Sequence, residues 1–239
     1  MAKTYEAMLR KNKASEDINH AAMLHEWELL NLNRPKETGD IEKKIDYLRE
    51  RKGFKIFNFT SSKKRAGVST IIFGLARYMA EKNPSHKILL CDANMQHPVL
   101  HIAFNVSPKP GLFDLFSESC DISRVIHETE WDNIRIIPAG QPLSSSEALQ
   151  ENKFSEIISS VREEFDYIFI DSAPLLEYSE AISSAGISDV TFLVIEANRT
   201  KKEIAEKAKL LLQERDCIIG GAILNRALYV IPEKLYNII

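Results

Sequence analysis

The residues best suited to chemistry lie in one short segment, residues 60–70, with the sequence TSSKKRAGVST. Gly67 and Ser69 match the pattern G-x-x-x-x-G-K-[ST], in which backbone N–H groups bind phosphates, the lysine reaches the terminal phosphates and the hydroxyl binds Mg²⁺. Val68 stands where that pattern carries its lysine. The segment therefore has the outline of a phosphate-binding loop without its central charge.

The sequences on either side of this segment decide how it should be interpreted. A glycine followed by two hydroxyl residues also opens many ordinary helices. Residues 54–59, however, form a compact β-prone run, and residues 70–80 have the apolar spacing of a helix. A loop between a strand and a helix presents the free N–H groups of the helix N-terminus to an anion. This context favours a phosphate site.

The whole chain alternates strands with helices. The predicted strands are 54–60, 87–91, 134–137, 167–170, 190–195 and 218–224, and the predicted helices are 41–51, 69–82, 153–164 and 201–214. Near-continuous apolar strands between amphipathic helices indicate an α/β fold with a doubly wound, mostly parallel sheet, in which ligands bind outside the carboxyl ends of the strands. We expect residues 41–239 to form this domain. Residues 1–40 are predicted to be a helical leader or docking arm, with a solvated leader as the alternative.

Two of the predicted strands end in an aspartate. Asp92 follows the predicted strand 87–91, and Asp171 follows the predicted strand 167–170. In a phosphate-loop fold such an aspartate lies beside the loop and binds Mg²⁺ waters or the loop serine. Asp171 is the better candidate, with Ser69 as the second metal-binding residue. Taken singly, each aspartate also fits a helix cap or a turn, but two of them beside one loop favour the functional interpretation.

Composition limits the remaining function classes. The 239 residues are 44% hydrophobic and 27% charged, which suits one α/β domain with a short appendage. The net charge is −3, so no nucleic-acid partner is expected, although residues 63–65 form a local basic patch. No signal peptide is recognised and no apolar run approaches the roughly 18 to 20 residues that span a bilayer. We therefore expect a cytoplasmic protein in which any membrane role comes through a partner.

The three cysteines are not arranged for metal binding. Cys91, Cys120 and Cys217 have no C-x-x-C spacing, and two of them lie in apolar runs. We therefore expect buried thiols in a reducing compartment.

The motifs together resemble the bacterial tyrosine kinases of capsule and exopolysaccharide synthesis, which are relatives of the deviant P-loop ATPases that partition chromosomes and place division sites. The resemblance runs from Leu48 to Pro232. The family motifs read roughly T-S-S-x-P-G-E-G-K-S-T, D-A-D-x-R-x-P and Y-D-Y-x-x-I-D-x-P-P. They are matched in part at residues 60–70, 92–98 and 165–174, with further matches at 137–140, 224–226 and 231–233.

This resemblance implies a nucleotide site and a membrane partner. ATP or ADP with Mg²⁺ would be the cofactors, unless the chain binds none. The implied nucleotide-binding residues are Ser62, Gly67, Ser69, Thr70 and Asn225, the last near the adenine. Asp92 would be a remnant of the catalytic site. Residues 3–8 are similar to the leader of stand-alone cytoplasmic members, which work with a separate inner-membrane polysaccharide co-polymerase. A homo-oligomer is possible.

The departures from the family pattern fall where the chemistry would occur. Val68 replaces the loop lysine, Arg65 replaces a glycine, and Asn94 replaces the second aspartate of the second motif. Asparagine cannot accept a proton at neutral pH, and losing the lysine with a carboxylate should slow phosphoryl transfer on the order of a thousandfold or more. Lys63 stands at the offset where the partitioning ATPases carry their signature lysine, and it is the predicted substitute; Lys64 or Arg65 could also serve.

Features of oligomerisation and autophosphorylation are also reduced. Only Tyr229 and Tyr236 occur near the C-terminus, where the family has a tyrosine cluster. The family's oligomer motif, roughly E-x-x-R-x-x-R, aligns with Lys43, Asp46 and Arg49. We therefore expect no ring assembly of the family type.

Three functions remain open from the sequence. The first is a weakened or inactive relative of these kinases, which regulates or scaffolds exopolysaccharide synthesis and export. The second is a working ATPase or tyrosine autokinase that uses Lys63. The third is a positioning protein similar to the division-site and partitioning ATPases, for which a basic face or a terminal membrane helix is not evident.

Overall fold

The computed structural model describes residues 35–116, 120–140 and 151–227. Within them lies a seven-stranded sheet with the strand order β3-β4-β2-β5-β1-β6-β7. The strands are β1 Ile56–Ser61, β2 Ile88–Ala93, β3 His127–Glu128, β4 Ile134–Ile137, β5 Tyr167–Ser172, β6 Val190–Glu196 and β7 Ile219–Asn225. The β3–β4 pair is antiparallel, and every other pair is parallel.

Helices connect the strands. They are α1 Pro35–Lys52, α2 Val68–Lys82, α3 Leu100–Ala103, α4 Leu112–Phe116, α5 Ile122–Val125, α6 Glu151–Val161, α7 Glu180–Gly186 and α8 Lys202–Gln213. The predicted alternation and the doubly wound, mostly parallel sheet are confirmed. The four short helices α3, α4, α5 and α7 and the short strand β3 were not predicted, because segments of two to seven residues are too short to show a period.

The centre of the sheet is the most deeply buried part of the structure. Every residue of β1, β2 and β5 is buried. Apolar side chains from these strands form two clusters, one packed against α2 and one against α6. Apart from Asn58 in the middle of β1, the buried Ser, Thr and Asp residues of these strands lie toward their carboxyl ends, where the close-packed core holds them in place.

Helix α1 begins at Pro35, six residues before the predicted start at Ile41, and so crosses the predicted domain boundary at residue 40. Proline suits the first turn of a helix, where its missing N–H is not needed. Residues 1–34, which make up most of the predicted arm, lie outside the described residues, as do Tyr229 and Tyr236.

Side chains from α1 bind the sheet within the same chain. The Arg49 guanidinium pairs with Asp166 and lies 5.0 Å from the ring centre of Tyr167. The Tyr167 hydroxyl donates a 2.6 Å hydrogen bond to Asp46. Two of the three residues aligned with the family's oligomer motif therefore serve the internal packing of α1, while Lys43 pairs with Asp40 on the surface.

Cys91 is buried, as predicted, whereas Cys120 and Cys217 are partly exposed. Among the helices of the described residues, none has the length and apolar character needed to cross a membrane.

Candidate phosphate-binding site

The phosphate loop, residues 62–67, joins the carboxyl end of β1 to the start of α2. Arg65 and Gly67 both adopt left-handed backbone conformations, with φ of 66° and 90°. Such angles cost a non-glycine residue roughly 1 kcal/mol or more, because its Cβ crowds the carbonyl oxygen. Arg65 therefore occupies, under strain, the backbone shape that the glycine of the family motif adopts freely.

Hydrogen bonds fix the phosphate loop at several points along its length. The Ser61 hydroxyl donates to the Lys63 carbonyl at 2.7 Å, and the Lys64 amide donates to the Glu177 carboxylate at 3.2 Å. The Ile71 amide donates to the Gly67 carbonyl at 3.1 Å, which starts the regular hydrogen bonding of α2. The first-turn N–H groups of α2 have no intrahelical partner, so they provide a partial positive charge at the loop.

A cavity of about 340 Å³ opens in front of this helix N-terminus. It is lined by Ser61, Lys64, Arg65, Ala66, Gly67, Val68, Ser69, Thr70, Asn94, His97, Val99, Ser172 and Pro174. Two of these residues, Lys64 and Arg65, carry positive charge. The cavity is therefore suited to an anion of the size of a phosphate chain.

The side chain that replaces the loop lysine belongs to the core. Val68 is 8% exposed and packs in the same apolar cluster as Ile72, Phe73 and Leu100. A valine here can neither donate a hydrogen bond nor supply charge to the cavity that it borders. At this position the side chain therefore packs in the apolar core, whereas the pattern carries a cation there.

The predicted loop residues are placed differently around this cavity. Gly67, Ser69 and Thr70 line it, whereas Ser62, the first residue of the loop, is buried with 1% exposure and does not line it. Among the described cations of the loop, Lys64 and Arg65 line the cavity, and the exposed Lys63 does not. Which basic side chain faces the cavity depends on the backbone turn at Arg65, which the sequence pattern did not reveal.

Asp92 and Asp171 lie side by side below the loop. They occupy paired register positions on the parallel neighbours β2 and β5, and both residues have 0% exposure. Asp92 accepts backbone N–H groups from Asn94, Val99 and Leu100 at 3.2, 3.2 and 3.1 Å. It thus organises the turn that leads into α3, which fits the structural alternative for this residue.

Asp171 has no such partners. Both of its carboxylate oxygens are buried, and neither makes a hydrogen bond to any of the described residues. Burial and the neighbouring Asp92 charge raise the pKa of Asp171 well above its usual range, and the nearby Ser69 hydroxyl lowers it only in part. Burial also raises the pKa of Asp92, against the effect of its backbone hydrogen bonds. The two carboxyls therefore favour holding a proton unless a cation joins them.

The residues at Asp171 fit a magnesium ion. Mg²⁺ prefers carboxylate and hydroxyl oxygens and keeps several of its waters. Asp171 supplies two buried oxygens without partners, and Ser69 lies at the start of α2 beside it. A bound Mg²⁺ would neutralise phosphate charge in the cavity.

Asn225, at the end of β7, binds the loop itself. Its Nδ2 donates to the Ala66 carbonyl at 2.8 Å. A Cβ added at Gly67 would collide with the same amide group, so these two residues pack without spare room. The sequence predicted Asn225 beside the adenine; its contact with the loop backbone is an additional feature that no local pattern signals.

Comparison with known proteins identifies the family to which this chain belongs. A family model described as an AAA domain matches residues 54–208. The tyrosine-protein kinase CpsD of Streptococcus agalactiae serotype III is 31% identical over 174 residues, which are 72% of this chain and 74% of that protein. The chain belongs to the bacterial tyrosine-kinase family of P-loop ATPases. The resemblance predicted from the motifs is thereby confirmed.

Solved structures agree with this family. The kinase domain of VpsO superposes with a TM-score of 0.72 at 26% identity, covering 84% of this chain and 98% of that domain. The septum site-determining protein MinD of Pyrococcus horikoshii, complexed with Mg-ADP, gives a TM-score of 0.64 at 22% identity, covering 76% of this chain and 75% of that one. The second likeness concerns the fold alone.

Two further residues of the tyrosine-kinase motifs reach the cavity. His97 and Ser172 line it, although the sequence singled out neither. Both lie inside the second and third family motifs, so motif membership was the available signal. Asn94 also lines the cavity, and its Oδ1 is buried without a hydrogen bond to any described residue. An amide oxygen in that position can accept a hydrogen bond from a ligand but cannot act as a base.

Proposed function

We propose that this chain is a tyrosine-kinase relative that binds a nucleotide but has lost most catalytic activity, and that it serves as a regulatory or scaffolding component in capsule or exopolysaccharide synthesis. The observation that carries this proposal is the contrast between Val68 and Asp171. The lysine position belongs to the core, while the carboxylate below the loop is buried and without partners among the described residues.

Nucleotide binding is supported by what the loop retains. The left-handed turn at Gly67, the helix N-terminus of α2 and the basic residues Lys64 and Arg65 suit an anion. Ser69 and Asp171 would hold Mg²⁺. These groups can bind and orient a phosphate anion and its Mg²⁺ without the missing lysine.

Loss of activity is supported by the groups that the reaction itself requires. Phosphoryl transfer depends on positioning and on charge stabilisation at the transferring group. Val68 offers no charge there, and Asn94 replaces a carboxylate that the family motif carries. Binding contacts that are equal in the ground state and the transition state do not raise the rate, so a retained pocket is compatible with very slow turnover.

The partner proposed from the family resemblance is an inner-membrane polysaccharide co-polymerase, reached from the cytoplasmic side. The nucleotide-bound conformation of this chain would then regulate the co-polymerase, and this regulation would not require ATP hydrolysis. A homo-oligomer is compatible with this role, although Asp46 and Arg49 are bound within the chain.

A second candidate function rests on the basic residues at the cavity. Lys64 and Arg65 line it and could supply the charge that Val68 lacks, which would leave a working autokinase or ATPase. Lys63, the substitute predicted from its offset, is exposed. A working enzyme therefore depends on Lys64 or Arg65 more than on Lys63, unless nucleotide binding redirects the Lys63 side chain.

The test is calorimetric titration of purified protein with ATP and with ADP, each with and without Mg²⁺. Asp171→Asn serves as the variant that removes the proposed metal ligand at nearly constant shape. We expect micromolar binding that depends on Mg²⁺ in the original chain and loses that dependence in Asp171→Asn. Absence of any binding at millimolar nucleotide would refute the nucleotide part of the proposal and leave only a scaffold.

A further inference from the structure

Three of the five non-glycine residues that have left-handed backbone among the described residues lie in the phosphate loop or just after β6 and β7; the other two, Asn105 and Asp216, follow α3 and α8. Arg65, Asn198 and Arg226 have φ of 66°, 63° and 56° although none is glycine. Arg65 lies in the loop, Asn198 in the turn after β6, and Arg226 directly after β7. Strained backbone of this kind persists only where the surrounding contacts over-determine it, and it clusters at functional sites.

The end of β7 contacts the loop through Asn225. Its Nδ2 donates to the Ala66 carbonyl at 2.8 Å, and its Oδ1 accepts the Arg226 amide at 2.9 Å. The second bond fixes which end of the side-chain amide faces the loop. The contact with Gly67 leaves no space for the loop to shift toward β7.

Arg226 makes a second connection. Its Nη1 lies 3.0 Å from Glu196 and 3.5 Å from the Arg65 carbonyl. The Glu196 side chain is only 10% exposed and also pairs with Arg199 at 3.2 Å. Burial disfavours the charged carboxylate, but hydrogen bonds from Arg226 and Arg199 prevail and lower the pKa of Glu196. The pair therefore stays charged at neutral pH.

These contacts start from the adjacent ends of β6 and β7. Glu196 and Asn225 occupy paired positions at the ends of β6 and β7, and the Ala197 amide donates to the Asn225 carbonyl at 2.8 Å. Two side chains at or directly after these strand ends thus donate to consecutive carbonyls of the loop. Arg226, paired with Glu196, donates to the Arg65 carbonyl at 3.5 Å, and Asn225 donates to the Ala66 carbonyl at 2.8 Å.

We propose that Asn225 and Arg226 form a latch that holds the phosphate loop in its binding shape before any nucleotide arrives. In the G-x-x-x-x-G-K-[ST] pattern the lysine side chain contacts the bound phosphates. In this chain the loop backbone is instead held by Asn225 and Arg226, which donate to its carbonyls. Both are positioning residues, since neither lines the cavity among the residues described. This inference deepens the proposed function, because a preformed loop lowers the cost of binding a nucleotide.

The experiment is hydrogen exchange of nucleotide-free protein, measured on peptides that cover residues 62–70. The Asn225→Asp variant keeps the shape but cannot donate to the Ala66 carbonyl. Arg226→Ala removes the ionic contact, and Arg226→Lys restores its charge. Arg199→Ala is the matched control, because it removes a Glu196 partner that does not touch the loop in the described contacts.

We expect loop exchange to rise on the order of tenfold in Asn225→Asp and in Arg226→Ala, while Arg226→Lys recovers most of the protection and Arg199→Ala stays close to the original chain. Loop exchange as slow in Asn225→Asp as in the original chain would overturn the latch. Unfolding of the domain in Asn225→Asp would appear as fast exchange in β2 and β5. In that case the comparison of loop exchange between Arg226→Ala and Arg226→Lys tests the latch. Equal exchange in those two variants would also overturn it.

Because this measurement uses no nucleotide, its outcome is independent of whether the pocket binds one. A following titration separates the two claims. If the chain binds ATP, the dissociation constant should rise about three- to tenfold in Asn225→Asp. Binding that is equally tight in this variant would contradict the latch and leave the proposed function intact.

Discussion

Asp92 and Asp171 lie at paired positions on adjacent parallel strands, both fully buried, yet only Asp92 is satisfied by backbone hydrogen bonds. Two like charges at this spacing cannot both ionise without cost in a buried environment. The unfavourable member is Asp171, whose oxygens lack partners among the described residues. In the absence of a cation, this carboxylate should weaken the folded state.

The first prediction concerns Asp171→Asn in protein without Mg²⁺ or nucleotide. An amide of the same shape removes the buried charge, so the free energy of unfolding should rise by about 1 to 3 kcal/mol at pH 8. Urea denaturation of both proteins measures this difference. A variant less stable than the original chain at pH 8 would contradict the buried-charge interpretation.

The same pair of proteins should differ in their response to pH. The pKa of Asp171 is higher in the folded chain than in the unfolded one, so its contribution to stability is full below about pH 4 and is lost as the pH rises through the folded value. The advantage of Asp171→Asn should therefore grow between pH 5 and pH 8. A constant difference across this range would show that ionisation of Asp171 is not the cause.

Asp92→Asn should change the free energy of unfolding in the opposite direction from Asp171→Asn. Asp92 accepts three backbone N–H groups, and an asparagine must place its NH₂ group against at least one of those donors. We expect a loss of about 1 to 2 kcal/mol in the free energy of unfolding at pH 7. The contrast with Asp171→Asn is an internal control, because the two substitutions are chemically identical and lie on neighbouring strands.

Arg65→Gly tests the strain in the phosphate loop. Arg65 has φ of 66°, so glycine should relieve the strain and stabilise the nucleotide-free protein by about 0.5 to 1 kcal/mol. Lys64→Gly is the matched control at the preceding position, where φ is not positive and glycine should destabilise. Thermal unfolding compares the two; stabilisation by neither variant would mean that the loop conformation is not strained.

The basic residues of the loop should contribute unequally to nucleotide affinity. Lys64 and Arg65 line the cavity, and Lys63 is exposed outside it. Removal of either cavity residue by alanine should raise the dissociation constant of ATP about three- to tenfold, since charge-assisted contacts are lost. Lys63→Ala should change it less than twofold. A dominant effect of Lys63→Ala would instead support the substitute-lysine hypothesis.

The sequence was sufficient to predict six of the seven strands and the longer helices. Apolar runs such as residues 167–170 and 190–195 are continuous because both faces of those strands are buried, and this pattern identifies a parallel sheet. The common edge of Asp92 and Asp171 followed from the same logic, because carboxyl ends of parallel strands meet at one edge. These predictions depend on local periodicity, which a single sequence contains.

Other features depend on contacts between distant segments. Asn225 meets Ala66 across 159 positions of the chain, and Glu177 reaches the Lys64 amide across 113. Arg65 adopts a left-handed backbone conformation that glycine adopts most readily, and the sequence alone did not show that Lys64 and Arg65 line the cavity while Lys63 does not. No local pattern encodes these relationships, so the latch and the cavity-lining cations emerged only from the fold.

The most direct test of the central claim is steady-state ATP turnover by purified protein at saturating Mg-ATP, compared with the double variant Val68→Lys/Asn94→Asp. We predict that the original chain binds ATP but turns it over at the background rate, and that the double variant, which restores the two missing groups, gains on the order of a hundredfold or more. Turnover by the original chain at rates of about 1 per second or above would contradict the account, since it would show that the loop performs catalysis without its lysine.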